Sequence, residues 1–344
     1  MIRIGPYTLR NHVLLAPMAG ITDAPFRALA WRFGAGYVVS EMLGARDQLW
    51  HTAKSRLRRA TVAGIEPRAV QIAGGDPDSV AAAARRHVDD GAQIIDINFG
   101  CPAKKVCRKA AGSQLLADPE LVIAIVRATV AAVPVPVTVK MRSGVSPEQK
   151  NGPEIAHRLQ EEGVSALVVH GRTRACLFRG EAEYDTVAAI KDRLQIPVIA
   201  NGDIDSPQKA AAIMARTGVD GVMVGRAALG APWLPGQIAG SESAQLSVVQ
   251  KGQVVLEHVA ALHEFYGDPG VRIARKHVQW YFAALGIDGA ERWRVFAALA
   301  DAGAQLDCLA ALAAHRSVQA PESAAASARV TGGPSRVAAR ACAA

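Results

Sequence analysis

Eight short apolar runs recur along the first two-thirds of the chain, and nearly all of them stop at polar or glycine-containing sequence. Each run is rich in Val and Ile and apolar on both faces, as the strands of a buried parallel sheet are. The intervals between most runs leave room for one crossover helix. The predicted strands are Val13–Pro17, Gly36–Ser40, Arg68–Ala73, Ile94–Asn98, Val135–Met141, Ala166–His170, Pro197–Asn201 and Gly221–Val224.

Helical patterns with recognisable starts occupy most of these intervals. Asp76-Pro77, Asp118-Pro119 and Ser206-Pro207 each place a capping side chain before a proline at the first helical position. We therefore predict an α/β protein with a (β/α)₈ TIM barrel over residues 1–236, since about 250 residues is typical of that fold. The alternative is a doubly wound open sheet. It would carry a glycine-rich fingerprint after its first strand, whereas this one leads into Pro17-Met-Ala-Gly20.

The pattern changes after the predicted barrel. Residues 237–250 contain Ser, Gln and Gly and are predicted to form a linker. Residues 251–316 have helical periodicity and no strand signal, which predicts a small all-helical domain. Residues 317–344 have almost no large apolar side chains. We predict that this tail is disordered, because it buries too little surface to offset the entropy of ordering.

Composition narrows the class of protein. The N terminus has no cleavable signal pattern and no apolar run is long enough for a membrane span, so we expect a cytoplasmic protein without a membrane partner. Five cysteines without framework spacing indicate reduced thiols. Cys101 and Cys107 do not form a CxxC pair, so we predict no metal site. The net charge of +8 favours a polyanionic partner.

The predicted strand ends carry polar or glycine residues that are far apart in sequence. In a TIM barrel the active site lies at these carboxyl ends, so the residues converge by topology. Any one of them alone is more often an ordinary polar strand end, but the whole set predicts a single functional site. The set is Pro17 and Met18, Ser40 and Glu41, Gln71, Asn98 with Cys101, Lys140 with Arg142, His170 with Arg172, Asn201-Gly202-Asp203, and Gly225-Arg226.

Two features of this set indicate its chemistry. Cys101 lies between Gly100 and Pro102 on a stiff turn, and a thiol with a pKa of about 8.5 is protonated at neutral pH and can act as a general acid. The alternative is a buried structural cysteine. Lys140 ends a buried run and therefore needs an anionic partner or a depressed pKa. A flavin pyrimidine edge would supply the anion, and a Schiff-base lysine is the alternative.

The seventh and eighth strand ends are where barrels often bind a phosphate through backbone N–H groups and a cation. Asn201-Gly-Asp203 and Val224-Gly-Arg226 fit this role, and Arg226 is suited to a two-pronged contact. The alternative is that both glycines only permit tight turns.

These residues resemble a known family, the flavin-dependent tRNA-dihydrouridine synthases. The matching segments run in family order to about residue 282, and Ala103–Val106, Arg174–Tyr184 and Arg275–His277 are most similar to the bacterial B-type branch. Position 107 departs from some B-type members, which have Asn where this chain has Cys107. The matching segments are Leu15–Asp23 with Pro25–Arg27, Ser40–Met42, Val70–Gly75, Asp96–Pro102, Val137–Arg142, Val169–Arg174, Ile199–Asp203 and Val222–Arg226.

The resemblance implies a cofactor, a mechanism and a set of site residues. FMN would be reduced by NADPH or NADH, its N5 would deliver hydride to C6 of a uridine extruded from tRNA, and Cys101 would protonate C5. A monomer is expected. The implied FMN contacts are Pro17, Met18, Ala19, Gln71, Lys140, His170, Asn201, Gly202, Asp203, Gly225 and Arg226. The implied substrate contacts at the barrel are Asn98, Arg142, Arg172 and Arg174.

The predicted helical domain adds a candidate RNA-binding face. Arg272 and Lys276 are four residues apart on one helical face, Arg275 is their neighbour, and Trp280 continues the stripe. Such a face suits an RNA backbone and exposed bases. The alternative is a solvated basic face with Trp280 in the core. Two other functions remain open from the residues: a dihydropyrimidine or dihydroorotate dehydrogenase, and a non-catalytic RNA-binding module on a decayed barrel.

Overall fold

Parallel strands form one nine-stranded sheet in the computed structural model, which describes residues 1–107, 111–287 and 290–319. Nearly all neighbours in the sheet are also neighbours in the chain, and the last strand pairs with the first parallel one. The strands are β1 Arg3–Ile4, β2 Tyr7–Thr8, β3 Val13–Leu15, β4 Tyr37–Val38, β5 Leu43–Gly44, β6 Ala69–Ala73, β7 Ile94–Phe99, β8 Val137–Arg142, β9 Ala166–His170, β10 Val198–Asn201 and β11 Gly221–Val224.

The second strand of the barrel consists of two short pieces, β4 and β5, which together close the barrel. β4 pairs with β3, β5 pairs with β6, and a bridge between Val39 and Ala69 joins the two halves. The strand predicted over Gly36–Ser40 is confirmed in its middle by β4, whereas β5 lies beyond the predicted range and was not expected. The ladder is interrupted at Ser40, whose Oγ accepts a hydrogen bond from the Gln71 N–H at 3.0 Å. The predicted TIM barrel is confirmed.

Helices follow most of the strands and begin where the sequence predicts caps. Asp76 accepts a hydrogen bond from the Ser79 N–H at 2.8 Å, and Asp118 and Ser206 cap their helices in the same way. The helices of this part are α1 Ala24–Arg32, α2 Ala53–Arg59, α3 Pro77–Asp89, α4 Lys104–Cys107, α5 Pro119–Ala132, α6 Gly152–Glu161, α7 Asp185–Lys191, α8 Pro207–Thr217 and α9 Leu234–Ile238.

The antiparallel hairpin of β1 and β2 covers the amino-terminal ends of the parallel strands. Ile2 and Ile4 are buried, and they pack in one apolar cluster with Ile94 and Ala166, the first residues of β7 and β9. The opposite end of the barrel, where the strands have their carboxyl ends, is left for the functional site.

Contacts divide the chain into two units, residues 1–228 with 232–244 and residues 229–231 with 245–344. Within the second unit α10 and α11 pack against α13, and the His258 ring and the Tyr281 hydroxyl lie 2.9 Å apart in the interior. Its helices are α10 Val248–Tyr266, α11 Asp268–Ala284, α12 Ala290–Ala298 and α13 Ala302–Gln319.

The predicted linker and the predicted tail both overlap helices of the structure. The predicted linker, 237–250, includes the last residues of α9 and the first residues of α10, whose N-cap is Ser247. Residues 317–319 of the predicted tail continue α13, and its remaining residues, 320–344, lie outside the described residues. Among the helices that the structure describes, none is both long and apolar enough to cross a bilayer.

Candidate active site

Strand register brings the predicted site residues to two adjacent levels near the carboxyl ends of the strands. Asn98 of β7 is in register with Lys140 of β8, Arg142 with His170 of β9, and His170 with Asn201 of β10. Residues that are more than a hundred positions apart in sequence therefore form one ring at the carboxyl ends of the strands. This is the position at which TIM-barrel enzymes carry out their chemistry.

The loop that carries Cys101 is fixed by hydrogen bonds on both of its sides. Asn98 Oδ1 accepts from the backbone N–H groups of Gly100 at 3.1 Å and of Cys101 at 2.9 Å. The Ser113 N–H and hydroxyl each donate to the Cys101 carbonyl at 3.0 Å, and Arg142 Nε donates to the Gly100 carbonyl at 2.8 Å. The thiol therefore projects from a rigid loop.

The surroundings of the Cys101 thiol favour its protonated form. Burial raises its pKa above the ordinary value, and a backbone hydrogen bond from Ala103 only partly offsets this effect. The side chain remains partly accessible. A thiol that stays protonated at neutral pH and that solvent or a ligand can reach is suited to donating a proton rather than to acting as a nucleophile.

A chain of buried polar groups lies beneath this loop. Gln71 Nε2 donates to Asp96 Oδ2 at 2.6 Å, and Asn98 Nδ2 donates to Gln71 Oε1 at 2.8 Å. The Thr138 hydroxyl donates to the other Asp96 oxygen at 2.7 Å. Because both Asp96 oxygens accept hydrogen bonds, Asp96 fixes which end of the Gln71 amide faces Asn98, and Asn98 in turn presents its oxygen to the Cys101 loop.

We expect Asp96→Asn to lower stability by about 1–3 kcal/mol, because Asn offers one oxygen acceptor where Asp96 offers two, so one buried donor, from Gln71, Thr138 or the new amide, would lack an acceptor. The same substitution should lower the turnover rate of the enzyme, because the Gln71 and Asn98 amides would lose their fixed orientation. Urea unfolding and single-turnover rates measure the two effects. Thr138→Val is the matched control, because it removes a hydrogen bond to Asp96 without contacting Gln71, and it should cost less activity. Wild-type stability and rate in Asp96→Asn would contradict the assignment.

Lys140 lies among charged groups with almost no access to water. Burial and, after it, the nearby Arg142 charge together lower its pKa to about 8, and the Asp96 charge opposes the shift. Its Nζ donates to Asn201 Oδ1 at 3.0 Å, and the Asn201 amide is oriented by its own bond to the Met223 carbonyl at 2.7 Å. No other hydrogen bond of the ammonium group occurs among the described residues. An anionic ligand atom would therefore find two free N–H groups here.

The ends of β10 and β11 have the features expected of an anion cradle, the name used for them below. Gly202 and Asp203 have left-handed backbone angles, with φ of 121° and 45°. Within the described residues, the backbone N–H groups of Gly225 and Arg226 donate to no protein acceptor. A Cβ on Gly225 would meet its nearest neighbours only at 3.8 Å and 4.0 Å, so this strand end is open. The Arg226 side chain beside it is 53% exposed.

Asp203 holds two of the predicted cations in place. It forms a two-pronged pair with Arg172, at 2.9 Å and 2.6 Å, and accepts from Arg226 at 3.3 Å and from the Ala182 N–H at 2.8 Å. The Arg172 guanidinium also donates to the Arg179 and Gly180 carbonyls. In this structure Arg172 is thus committed to the protein interior, and Asp203 offers a ligand its backbone rather than its carboxylate.

Arg142 is likewise used within the protein. Its Nη1 donates to the carbonyls of Thr173 at 3.0 Å and Leu177 at 2.7 Å, so it joins the Cys101 loop to the loop after β9. Burial lowers its pKa to about 10. Arg174 is only partly buried, and its backbone N–H donates to the Gly144 carbonyl at 2.9 Å. The structure therefore favours a positioning role for Arg142 and leaves the Arg174 side chain for a ligand.

The His170 ring is neutral in this setting. Burial, followed by the charges of Lys140, Arg142, Arg172 and Arg226, lowers its pKa to about 2. A second ring, Phe178, was missed by sequence reasoning. Its side chain is 50% exposed, and the Arg226 guanidinium carbon lies 4.9 Å from its ring centre. An aromatic residue between arginines, in Arg174–Arg179, was the available signal.

The loop after β3 carries three further predicted contact residues, Pro17, Met18 and Ala19. The Met18 N–H donates to the Thr22 hydroxyl at 2.8 Å, which closes the turn, and the Gly20 N–H donates to the buried carboxylate of Glu41. Pro17 and Met18 are partly accessible and Ala19 is exposed. The loop therefore presents backbone to the barrel opening.

The RNA-binding face that was predicted on α11 is only partly accessible to a ligand. Arg272 is exposed, whereas Arg275 is partly buried and donates to the Leu299 carbonyl at 3.2 Å. Lys276 and Trp280 are partly buried, and the Trp280 ring lies edge-on to His277 at 5.3 Å.

The cysteines of the described residues differ in state. Cys101, Cys107 and Cys176 are free, whereas Cys308 is disulfide-bonded, so the prediction of reduced thiols is wrong for Cys308.

The fold and the ring of site residues define an enzyme of the (β/α)₈ barrel class, with a thiol, a buried ammonium group and an anion cradle at its carboxyl-terminal face. Residues 14–319 match the model of the family described as dihydrouridine synthase (Dus). The chain belongs to this family, which confirms the resemblance drawn from the sequence.

Relatives agree with this membership, and a solved structure shares the fold. The chain is 55% identical over 311 residues to the tRNA-dihydrouridine synthase B of Pseudomonas putida, covering 88% of this chain and 92% of that protein. It is 51% identical over 316 residues to the protein of the same name from Escherichia coli, covering 90% and 98%. A histamine dehydrogenase structure from Rhizobium sp. 4-9 shares the fold, with a TM-score of 0.52, 14% identity and coverage of 75% and 50%.

Proposed function

We propose that this protein reduces the C5=C6 bond of specific uridines in tRNA to 5,6-dihydrouridine, with FMN as the bound cofactor and NADPH or NADH as the reductant. Family membership supports the product, and the relatives named above carry tRNA in their names. The observation that carries the proposal is the rigid loop that presents a protonated thiol in the same ring as Lys140 and the anion cradle. The proposal includes a cytoplasmic monomer that uses no metal.

The residues present fit FMN. Its phosphate would lie in the cradle of Gly225 and Arg226, where N–H groups without protein acceptors and an exposed guanidinium are available. Lys140 would hold the anionic edge of the ring, and the neutral His170 and the Asn201 amide would contribute uncharged hydrogen-bonding groups. Pro17, Met18, Ala19, Gln71, Gly202 and Asp203 complete the proposed contacts.

When bound, FMN would supply the hydride that adds to C6 of the uracil ring. Protein residues would donate the proton, stabilise the charge of the cofactor and position the Cys101 loop. Cys101 would donate its proton to C5, and the charge of Lys140 would stabilise the anionic edge of the cofactor. Asn98 accepts hydrogen bonds from two backbone N–H groups of the Cys101 loop and thereby holds this loop at a fixed position. Arg142 fixes the same loop from the other side.

The experiment that tests this proposal compares substrates on the purified protein. The protein should be yellow, should release FMN on heating, and should form dihydrouridine in unmodified tRNA when NADPH or NADH is supplied, as measured by nucleoside mass spectrometry. Free uracil and free uridine are the control substrates. Reduction of the free pyrimidines without reaction on tRNA would instead support a small-molecule dehydrogenase, and a colourless protein that binds RNA would support a non-catalytic module.

A further inference from the structure

A basic surface lies on the barrel beside the candidate site, in the segment that follows β5. Residues 46–59, called the 46–59 segment below, include five cations and a single acidic residue, Asp47. Because β5 ends at Gly44, this segment begins at the carboxyl-terminal face of the barrel, on the same side as the thiol loop. The five cations are Arg46, Lys54, Arg56, Arg58 and Arg59.

The inner part of the segment is tied to the rim of the site. Arg58 Nε lies 3.3 Å from Glu41 Oε1, and Arg58 Nη1 donates to the Met42 carbonyl at 3.2 Å. The same Glu41 carboxylate accepts from the Gly20 N–H of the loop after β3. Short helix α2 is therefore held at the strand ends, so that its other side chains are presented at a defined place.

Aromatic stacking makes the middle of the segment rigid. The guanidinium carbons of Arg59 and Arg86 lie 3.7 Å and 4.1 Å from the Trp50 ring centre. Arg59 Nη1 also donates to the Trp50 carbonyl at 2.8 Å. A guanidinium over an indole face is attracted by the ring quadrupole, so both stacked cations are held in place. The surface is thus built before any ligand arrives.

The outer cations are less engaged with the protein: Arg56 Nη1 donates to the His51 carbonyl at 3.2 Å, and among the described residues the Arg46 and Lys54 side chains make no hydrogen bond. Arg46, Lys54 and Arg56 are exposed, and in the part of the chain that the structure describes none of them has a carboxylate partner. The one acidic residue of the segment, Asp47, is already paired with Arg86. Like charges placed together without a counter-ion repel one another, and a polyanion that binds across them removes this repulsion.

We propose that the 46–59 segment binds backbone phosphates of the RNA substrate near the uridine that enters the barrel. The inference rests on the function proposed above and adds a second contact surface to the one predicted on α11. When one nucleotide of an RNA is inserted into the barrel, the adjacent nucleotides of the same strand must lie at the rim of the barrel. The exposed cations begin at this rim, only two residues beyond the last residue of β5. Phosphates at a regular spacing match several separate cations better than a single small anion does.

The test is the salt dependence of tRNA binding by the full-length holoenzyme, with an Arg46→Gln/Lys54→Gln double variant. We expect its Kd for an unmodified tRNA transcript at about 0.15 M salt to rise on the order of tenfold, and the slope of log K against log salt to fall by about 2. FMN content and the rate at saturating tRNA should stay at the wild-type level. The matched control, Arg3→Gln/Arg193→Gln, removes two exposed cations at the opposite end of the barrel and should change neither value.

An unchanged Kd and slope in the Arg46→Gln/Lys54→Gln variant would overturn the inference, as would equal losses in the control. Because binding is measured directly, its failure is separable from that of the proposed function. A wild-type protein that binds tRNA through this surface but forms no dihydrouridine would refute the reaction and leave the binding surface intact.

Discussion

Replacing Cys101 by Ala is expected to reduce dihydrouridine formation by about 10²- to 10⁴-fold, the usual contribution of a positioned general acid. The hydrogen bonds that shape the Cys101 loop involve backbone atoms and the side chains of Asn98, Ser113 and Arg142, so this loop should keep its conformation without the thiol. FMN content and tRNA affinity should therefore remain at wild-type levels. Single-turnover mass spectrometry of the product, with flavin absorbance and a tRNA binding assay, measures all three.

Cys107 provides the matched control for this experiment. It lies in the same loop region, and its Sγ makes only a weak contact with the Cys101 carbonyl at 3.7 Å. Cys107→Ala should therefore keep most of the activity. If Cys101→Ala formed product at the wild-type rate, or if both variants lost activity equally, the assignment of Cys101 as the acid would have to be given up.

The pH dependence of the same reaction has a predictable sign. Only the protonated thiol can donate, and burial raises the pKa of Cys101 above its ordinary value. Its contribution should thus persist through neutral pH and be lost only at alkaline pH. Burial lowers the pKa of Lys140 to about 8 in the protein without a ligand, and the anionic edge of FMN should raise it again. A rate decrease at alkaline pH that is also present in the residual activity of Cys101→Ala would belong to Lys140 and not to the thiol.

The sequence predicted the barrel and the positions of its functional strand ends, because both follow from periodicity and topology. Short apolar runs with capped helices between them are compatible with few folds other than a parallel α/β barrel. In such a barrel all the strands have their carboxyl ends on the same face. Gln71, Asn98, Lys140, His170 and Asn201 therefore lie where they were expected. Their roles as FMN or substrate contacts stay predictions.

The use of each arginine was not accessible from the sequence. Arg142 and Arg172 were expected to face the substrate, yet their donors are taken up by the carbonyls of the loop after β9 and by Asp203. A cation at a strand end looks the same in sequence whether its partner is a ligand or a neighbouring loop. The conformation of that loop decides between them, and it depends on contacts between residues that are distant in sequence.

The second large effect that we expect concerns stability. Asp203→Asn should lower the free energy of unfolding by about 3 kcal/mol, because it leaves the Arg172 guanidinium, whose side chain is only 3% exposed, without its carboxylate. Asn is the right replacement, since it tolerates the left-handed backbone at this position, where φ is 45°. Differential urea unfolding of the two proteins measures the change. Asp185→Asn is the control, since its pair with Arg216 is exposed on both sides and should contribute about 1 kcal/mol or less.

The pH dependence of this difference identifies its cause. Burial alone would raise the pKa of Asp203, but the hydrogen bonds and charge of Arg172 and the Ala182 N–H outweigh burial and lower it. A carboxyl group whose pKa is lowered in the folded state stabilises the protein above its unfolded pKa of about 3.9, and this stabilisation is lost as the pH falls through the folded value. The gap between wild type and Asp203→Asn should thus be constant near neutral pH and shrink below about pH 4. A gap that stayed constant into acid would mean that packing, not the charge of Asp203, holds this corner of the site together.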